Sequence, residues 1–227
     1  MKVAFIAAKY DNPILLPEKL FKILPKKVCL FTTIQFMHQL ESIKQQLENK
    51  GITVTLREST NYYYQGKKTR EGQLLGCNLE EFDNIDAFLY IGDGLFHPKI
   101  LMVKNNQSVY GYDPIAEVVE KLDSKDIEKL KKKQQGAYAK FLSSKEIGVL
   151  ISTKPGQNYL NKAEKLREKF PEKNFYFILF NDINFTELEN FNFVECWINT
   201  ACYRIGYDDT NKMTKAVINI LDIPDFL

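Results

Sequence analysis

Short apolar runs alternate along the chain with stretches whose apolar residues recur at helical spacing, and this alternation predicts a protein of interleaved strands and helices. Val28-Cys29-Leu30-Phe31-Thr32-Thr33 is apolar and β-prone. It leads into residues 34–40, whose apolar positions continue at Ile43 and Leu47 as on one helix face, and Gly51 supplies the stop. Residues 52–56 alternate as a strand, 86–91 read as a fully buried strand ending at Gly92, and 108–112 give a further strand closed by Asp113-Pro114. The rhythm then recurs, with strands at 147–152, 175–180 and 193–198, an amphipathic helix over 159–170 and a short one over 185–190.

Strands separated by helices imply βαβ units and mostly parallel sheets covered on both faces. The expected fold class is therefore α/β, with two similar small parallel-sheet βαβ domains joined by a helical linker. The boundaries fall at 1–114 for the first domain, 115–144 for the linker and 145–227 for the second. Apolar residues at Val118, Val119, Leu122, Ile127, Leu130, Ala137 and Phe141 predict a long helix over the linker, broken at Asp123-Ser124. Residues 61–70 show no apolar period and read as a loop.

Composition narrows the function. Lys plus Arg number 31 against 29 Asp plus Glu, a net charge of +2, so no general polyanion-binding surface is expected and direct nucleic-acid binding is set aside. Hydrophobic content of 44% with 16 Phe and 12 Tyr excludes a disordered chain. The apolar start ends too early for a signal peptide, and no run approaches the ~20 apolar residues of a membrane span, so a soluble protein with no membrane contact is expected. Four cysteines without regular spacing make no secreted disulfide framework and favour a reducing cytoplasm.

Two cysteines stand apart from the core pattern. Cys77 follows Gly72-Gln73-Leu74-Leu75-Gly76 and Cys202 follows Asn199-Thr200-Ala201, both where a strand pattern breaks into small and polar residues. Thiolates in such settings suit iron-sulfur clusters and soft metals, whereas a lone cysteine is more often a small buried hydrophobe. Cys29 and Cys196 lie inside apolar runs and read as core. With only His38 and His97 in the chain, a histidine-based zinc centre or a serine triad has little material. Gly92-Asp93-Gly94 lacks the full dinucleotide fingerprint, and the lysines at 129–133 read as a solvated helix face.

Five motifs occur in the order of one family: Thr32-Thr33-Ile34-Gln35-Phe36-Met37-His38-Gln39-Leu40, Gly72-Gln73-Leu74-Leu75-Gly76-Cys77, Gly92-Asp93-Gly94-Leu95-Phe96-His97-Pro98, Lys154-Pro155-Gly156-Gln157 and Asn199-Thr200-Ala201-Cys202-Tyr203-Arg204. From about Lys26 to about Asn219 the chain resembles the diphthamide synthase radical enzymes of archaea and eukaryotes. The resemblance implies three similar α/β domains, each giving one cysteine to a four-iron four-sulfur (4Fe-4S) cluster whose fourth iron takes S-adenosylmethionine. It implies cleavage of that cofactor to a 3-amino-3-carboxypropyl radical, transferred to a histidine of translation elongation factor two as the first step of diphthamide synthesis. Cys77 and Cys202 align with the second and third ligands. The match begins at the second domain, so the third ligand is expected outside this chain. It would come from a partner protein carrying the first domain and its cysteine, or from a second copy of the chain. Tyr203 stands where the family usually has Pro, and Ala216 where a Pro often precedes the last strand.

On the same resemblance, Gln157 before a helix and Arg204 two residues past the ligand cysteine are expected to bind the carboxylate of S-adenosylmethionine. Read without it, Gln157 is a helix-start residue and Arg204 a surface ion pair with Asp208 or Asp209. A rival reading is a degenerate, non-catalytic paralogue that binds a partner or supports electron delivery.

Overall fold

The computed structural model describes residues 8–61, 67–75, 80–94, 96–154 and 157–224. The chain resolves into two compact units, Met1–Glu128 and Lys129–Leu227. In the first, α1 (Glu18–Phe21) precedes β1 (Lys27–Thr32), α2 (Leu40–Glu48) and β2 (Thr53–Thr55), and a two-stranded ribbon follows, β3 (Thr60–Asn61) with β4 (Lys67–Lys68). Then come β5 (Phe88–Ile91), α3 (Phe96–Lys104), β6 (Val109–Asp113) and β7 (Val118–Leu122). Helix α4 (Ser124–Ser143) begins in this unit and continues into the second, which holds β8 (Glu146–Ser152), α5 (Leu160–Lys169), β9 (Asn174–Phe180), β10 (Cys196–Asn199), α6 (Arg204–Tyr207) and β11 (Val217–Asn219).

The two main sheets share a topology. The first runs β2-β1-β5-β6-β7 and the second β11-β10-β8-β9. All pairings among β1, β2, β5 and β6 are parallel, as are all those of the second sheet. Counted along the chain, the parallel strands of each unit lie in the order second, first, third, fourth. Such a sheet has a switch point between its first and third strands, where the chain leaves in opposite directions and a crevice opens at the carboxyl ends. These points lie between β1 and β5 and between β8 and β10.

The period of two along each strand sends alternate side chains to opposite faces. Val28 and Leu30 of β1 join Ile43 and Leu47 of α2 on one face, while Cys29 and Phe31 join Leu101 and Met102 of α3 on the other. In the second unit Ile147, Val149 and Ile151 pack with Ala163 and Leu166 of α5 and with Ala137 and Phe141 of α4. The opposite face carries Leu150, Trp197 and Val217. This two-sided burial is why the strands read as continuous apolar runs.

Segment 8–16 is strapped to α2 and the turn before it by glutamines acting as backbone surrogates. Gln39 Nε2 donates to the Tyr10 and Asn12 carbonyls, both at 2.9 Å, and its Oε1 accepts from Ile14 N at 2.8 Å. Gln46 repeats this with Leu16 N and the Ile14 carbonyl, both at 2.9 Å.

Several sequence expectations change: the loop read over 61–70 includes strands of the β3–β4 ribbon, and the strand read over 193–198 starts only at Cys196. Residues 34–40 are not one helix start: a turn at Thr33–Phe36 and a 3-10 turn at Met37–Gln39 precede α2. The predicted helix over 115–144 begins only at Ser124, because β7 turns back antiparallel along β6. Asp113 accepts from Ile115 N at 2.8 Å and Ala116 N at 3.0 Å, and Glu117 takes a positive φ of 54°, so the chain reverses at once. Val118 and Leu122 are four apart, a spacing that satisfies helix and strand alike. No helix among the described residues is long and apolar enough to cross a membrane.

Candidate functional site

Beside the first switch point, a later stretch of chain pairs with the end of β1 on its β2 side. Thr32 N donates to the Gly72 carbonyl and Leu74 N to the Thr32 carbonyl, each at 2.8 Å, and Thr32 bridges Gln73 in parallel. The Thr32 hydroxyl donates to the Ile91 carbonyl of β5 at 2.6 Å, tying the third strand to the same lip. Gly72 has φ +76°, a torsion that favours glycine, and a Cβ there would also stand 2.8 Å from a Leu40 methyl. The chain is thus carried past the carboxyl end of β1 just ahead of Cys77, which itself lies outside the described residues.

After β5, a Cβ on Gly92 would collide with the Tyr90 ring. Tyr90 is 1% exposed, stacks on His97 with ring centroids 5.5 Å apart, and brings its hydroxyl to 3.2 Å from His97 Nδ1. Burial, then the Asp93 and Asp113 charges, push the Tyr90 hydroxyl far above the ordinary tyrosine range, so it stays protonated. His97 accordingly packs against Tyr90 beside this lip.

At the second switch point the loop after β8 carries Gln157, and the turn after β10 carries Cys202 and leads to Arg204 at the start of α6. The Thr200 backbone and hydroxyl both donate to the Leu150 carbonyl, at 3.0 and 2.8 Å, pinning this turn to β8. The Cys202 carbonyl accepts from Asn199 Nδ2 at 2.9 Å and from Ile205 N at 3.1 Å. Cys202 is half-buried, whereas Cys29 and Cys196 are fully buried. Burial raises the Cys29 thiol to about 11, over the opposing effects of Thr55 and Arg57. It raises Cys196 to about 12, over those of Lys140 and Lys173. Neither buried thiol is a ready thiolate.

Tyr203 has φ −57°, inside the range a proline ring imposes, so the turn follows a path open to either Tyr or Pro at this position. It is buried and stacks on Tyr207 with centroids 6.3 Å apart. Arg204 donates through Nε to Asp208 at 2.9 Å, the surface pairing expected from the sequence. Gln157 N donates to the Lys154 carbonyl at 3.1 Å, so this amide closes its own turn. The start of α5 is served instead by Asn158, whose Oδ1 accepts from Leu160 N at 3.1 Å. Among the described residues no group of three or more His, Cys, Asp or Glu side chains converges as a metal site.

Sequence reasoning missed a polar cluster behind Cys202, in which the buried Asn199, Asn219 and Tyr207 meet the partly exposed Asp222. Its signal was available: Trp197-Ile198-Asn199 and Val217-Ile218-Asn219 are two apolar runs that each end in Ile-Asn.

The family model for diphthamide synthesis proteins matches residues 1–223. The 2-(3-amino-3-carboxypropyl)histidine synthase of Pyrococcus horikoshii is 31% identical over 200 residues, 87% of this chain and 56% of that protein. The synthase of Methanocaldococcus jannaschii is 29% identical over 77% of this chain and 52% of its own. Subunit 1 of the Schizosaccharomyces pombe synthase is 29% identical over 80% and 42%. The crystal structure of Dph2 from Pyrococcus horikoshii with a 4Fe-4S cluster superposes with a TM-score of 0.72 at 30% identity, covering 87% of this chain and 56% of that one. The chain spans about half the length of the relatives it matches.

Proposed function

Because this chain belongs to the diphthamide synthesis protein family, we propose that it forms part of a 2-(3-amino-3-carboxypropyl)histidine synthase, contributing Cys77 and Cys202 to a 4Fe-4S cluster. The reaction moves a 3-amino-3-carboxypropyl group from S-adenosylmethionine to a histidine of translation elongation factor two, in the cytoplasm. The observation that carries this reading is the contrast among the described thiols. Cys202 is half-exposed on a fixed turn at a strand end, while Cys29 and Cys196 are sealed in the cores with raised pKa values. A thiolate ligand needs the first setting and is disfavoured in the second.

The donor chemistry of Cys202 fits a soft iron centre. When bound, the cluster supplies the electron that cleaves S-adenosylmethionine. The residues of this chain hold the thiolate and shape the lip, and Gln157 on the loop after β8 and Arg204 at the start of α6 are our candidates for the carboxylate of the cofactor. Since Cys29 and Cys196 are core residues, a third thiolate comes from beyond Cys77 and Cys202, on a further domain, a partner protein or a second copy.

The test is anaerobic reconstitution with iron and sulfide, alone and with a first-domain protein, followed by S-adenosylmethionine labelled in its carboxypropyl carbons and elongation factor two. Label on a histidine of the factor, dependent on this chain, is the expected result. An assembly that holds the cluster and cleaves the cofactor without labelling the factor would refute the acceptor. One that never holds a cluster would refute the reading and leave a non-catalytic partner role.

A further inference from the structure

We propose that Asn219 is a positioning residue that, through Asn199, fixes the turn presenting Cys202. The inference rests on the reading of Cys202 as a ligand. Asn199 and Asn219 end the neighbouring strands β10 and β11, are partners in register, and are each 1% exposed. A buried carboxamide is costly unless its donors and acceptors are met, so where these two direct their bonds has consequences for the turn.

Asn199 Nδ2 donates to Asn219 Oδ1 at 2.7 Å and to the Cys202 carbonyl at 2.9 Å, while its Oδ1 accepts from Ala201 N at 3.0 Å. Asn219 Nδ2 donates to the Tyr203 carbonyl at 3.4 Å and to Asp222 Oδ2 at 3.2 Å. Backbone groups of Ala201, Cys202 and Tyr203 are thereby all held by two side chains. The amide orientations follow from the network, since turning either one over would set oxygen against a carbonyl. Asp222 is anchored in turn by the Tyr207 hydroxyl, which donates to its two oxygens at 2.8 and 3.0 Å.

Gly206 shows how closely the turn and the amide are fitted, because a Cβ there would overlap the carboxamide of Asn219. Helix α6, which follows Cys202, passes over that amide at glycine distance. A ligand thiol must be held to within about 0.5 Å and about 10–20° to serve a preformed centre, and a turn fixed at three successive residues meets that need.

The test uses this chain without iron and follows iodoacetamide labelling of Cys202 by peptide-resolved mass spectrometry, beside the thermal midpoint. Asn219→Ala removes the amide, and Gly206→Ala displaces it by one methyl group. Leu166→Ala, in the core on α5, is the matched control for lost stability. The expected result is a labelling rate raised about fivefold or more in both variants, with the control within about twofold of the parent. Parental labelling in either folded variant overturns the proposal, as does a control that accelerates equally. If neither variant folds, the amide is a general determinant of the fold and the positioning role is refuted. None of these readouts depends on iron, so failure of the parent chain to support a cluster would sink the ligand reading separately.

Discussion

Gly148 of β8 and Trp197 of β10 are partners in register, and a Cβ on the glycine would lie within the space of the indole ring. Trp197 is 1% exposed and meets Phe191 edge-on, with ring centroids 6.0 Å apart. Gly148→Ala is therefore expected to destabilise the second unit by about 1–3 kcal/mol through overpacking. Trp197 is the only tryptophan in the chain, so urea unfolding followed by its fluorescence reads the effect directly. An unchanged midpoint would show that the indole has another position.

The buried thiols predict a sensitivity to alkaline pH. Cys29 and Cys196 rise from an ordinary value of 9.0 to about 11 and about 12, chiefly through burial. Above pH 9 the unfolded chain releases these protons while the folded chain retains them, so their contribution is complete below pH 9 and is lost as pH rises toward 12. Cys29→Ala and Cys196→Ala should each flatten the decline of thermal midpoint over that window. At pH 8 iodoacetamide should label Cys202 and leave both core thiols intact in the native state, their thiolate fractions being of order 0.001 or less.

Asp113 closes the reversal between β6 and β7. Burial alone would raise its carboxyl, but N–H groups of Ala116, Ile115 and Gly94 outweigh that and hold it below the ordinary carboxylate range. A depressed carboxyl stabilises the fold above its unfolded pKa, and that contribution is lost as pH falls through the folded value. Asp113→Asn should cost about 1 kcal/mol at neutral pH and lessen the acid dependence of unfolding. Equal acid dependence in the variant and the parent would contradict this.

The parallel strands were legible because both faces of each sheet are buried, which leaves long apolar runs such as Val28 to Phe31 and Ile147 to Ile151. Strand β7 was not, since the spacing of Val118 and Leu122 suits two periods and the deciding contact is the Asp113 carboxylate, a matter of tertiary geometry. Strand β11 is only three residues long and gave no period to read. At the candidate site, the contrast of Cys202 with Cys29 and Cys196 could be read from flanking residues, small and polar against apolar. The link from Asn219 to Cys202 was signalled only by the two Ile-Asn strand ends, and its hydrogen bonds, made between strands 20 residues apart, were not legible.

The most direct test is the proposed cluster itself, assembled anaerobically from this chain together with a first-domain protein, reduced with dithionite, and followed by electron paramagnetic resonance with iron and sulfide analysis. Cys77→Ser and Cys202→Ser should each abolish the 4Fe-4S signal, whereas Cys29→Ser and Cys196→Ser should keep it. An undiminished signal in Cys202→Ser would contradict the account.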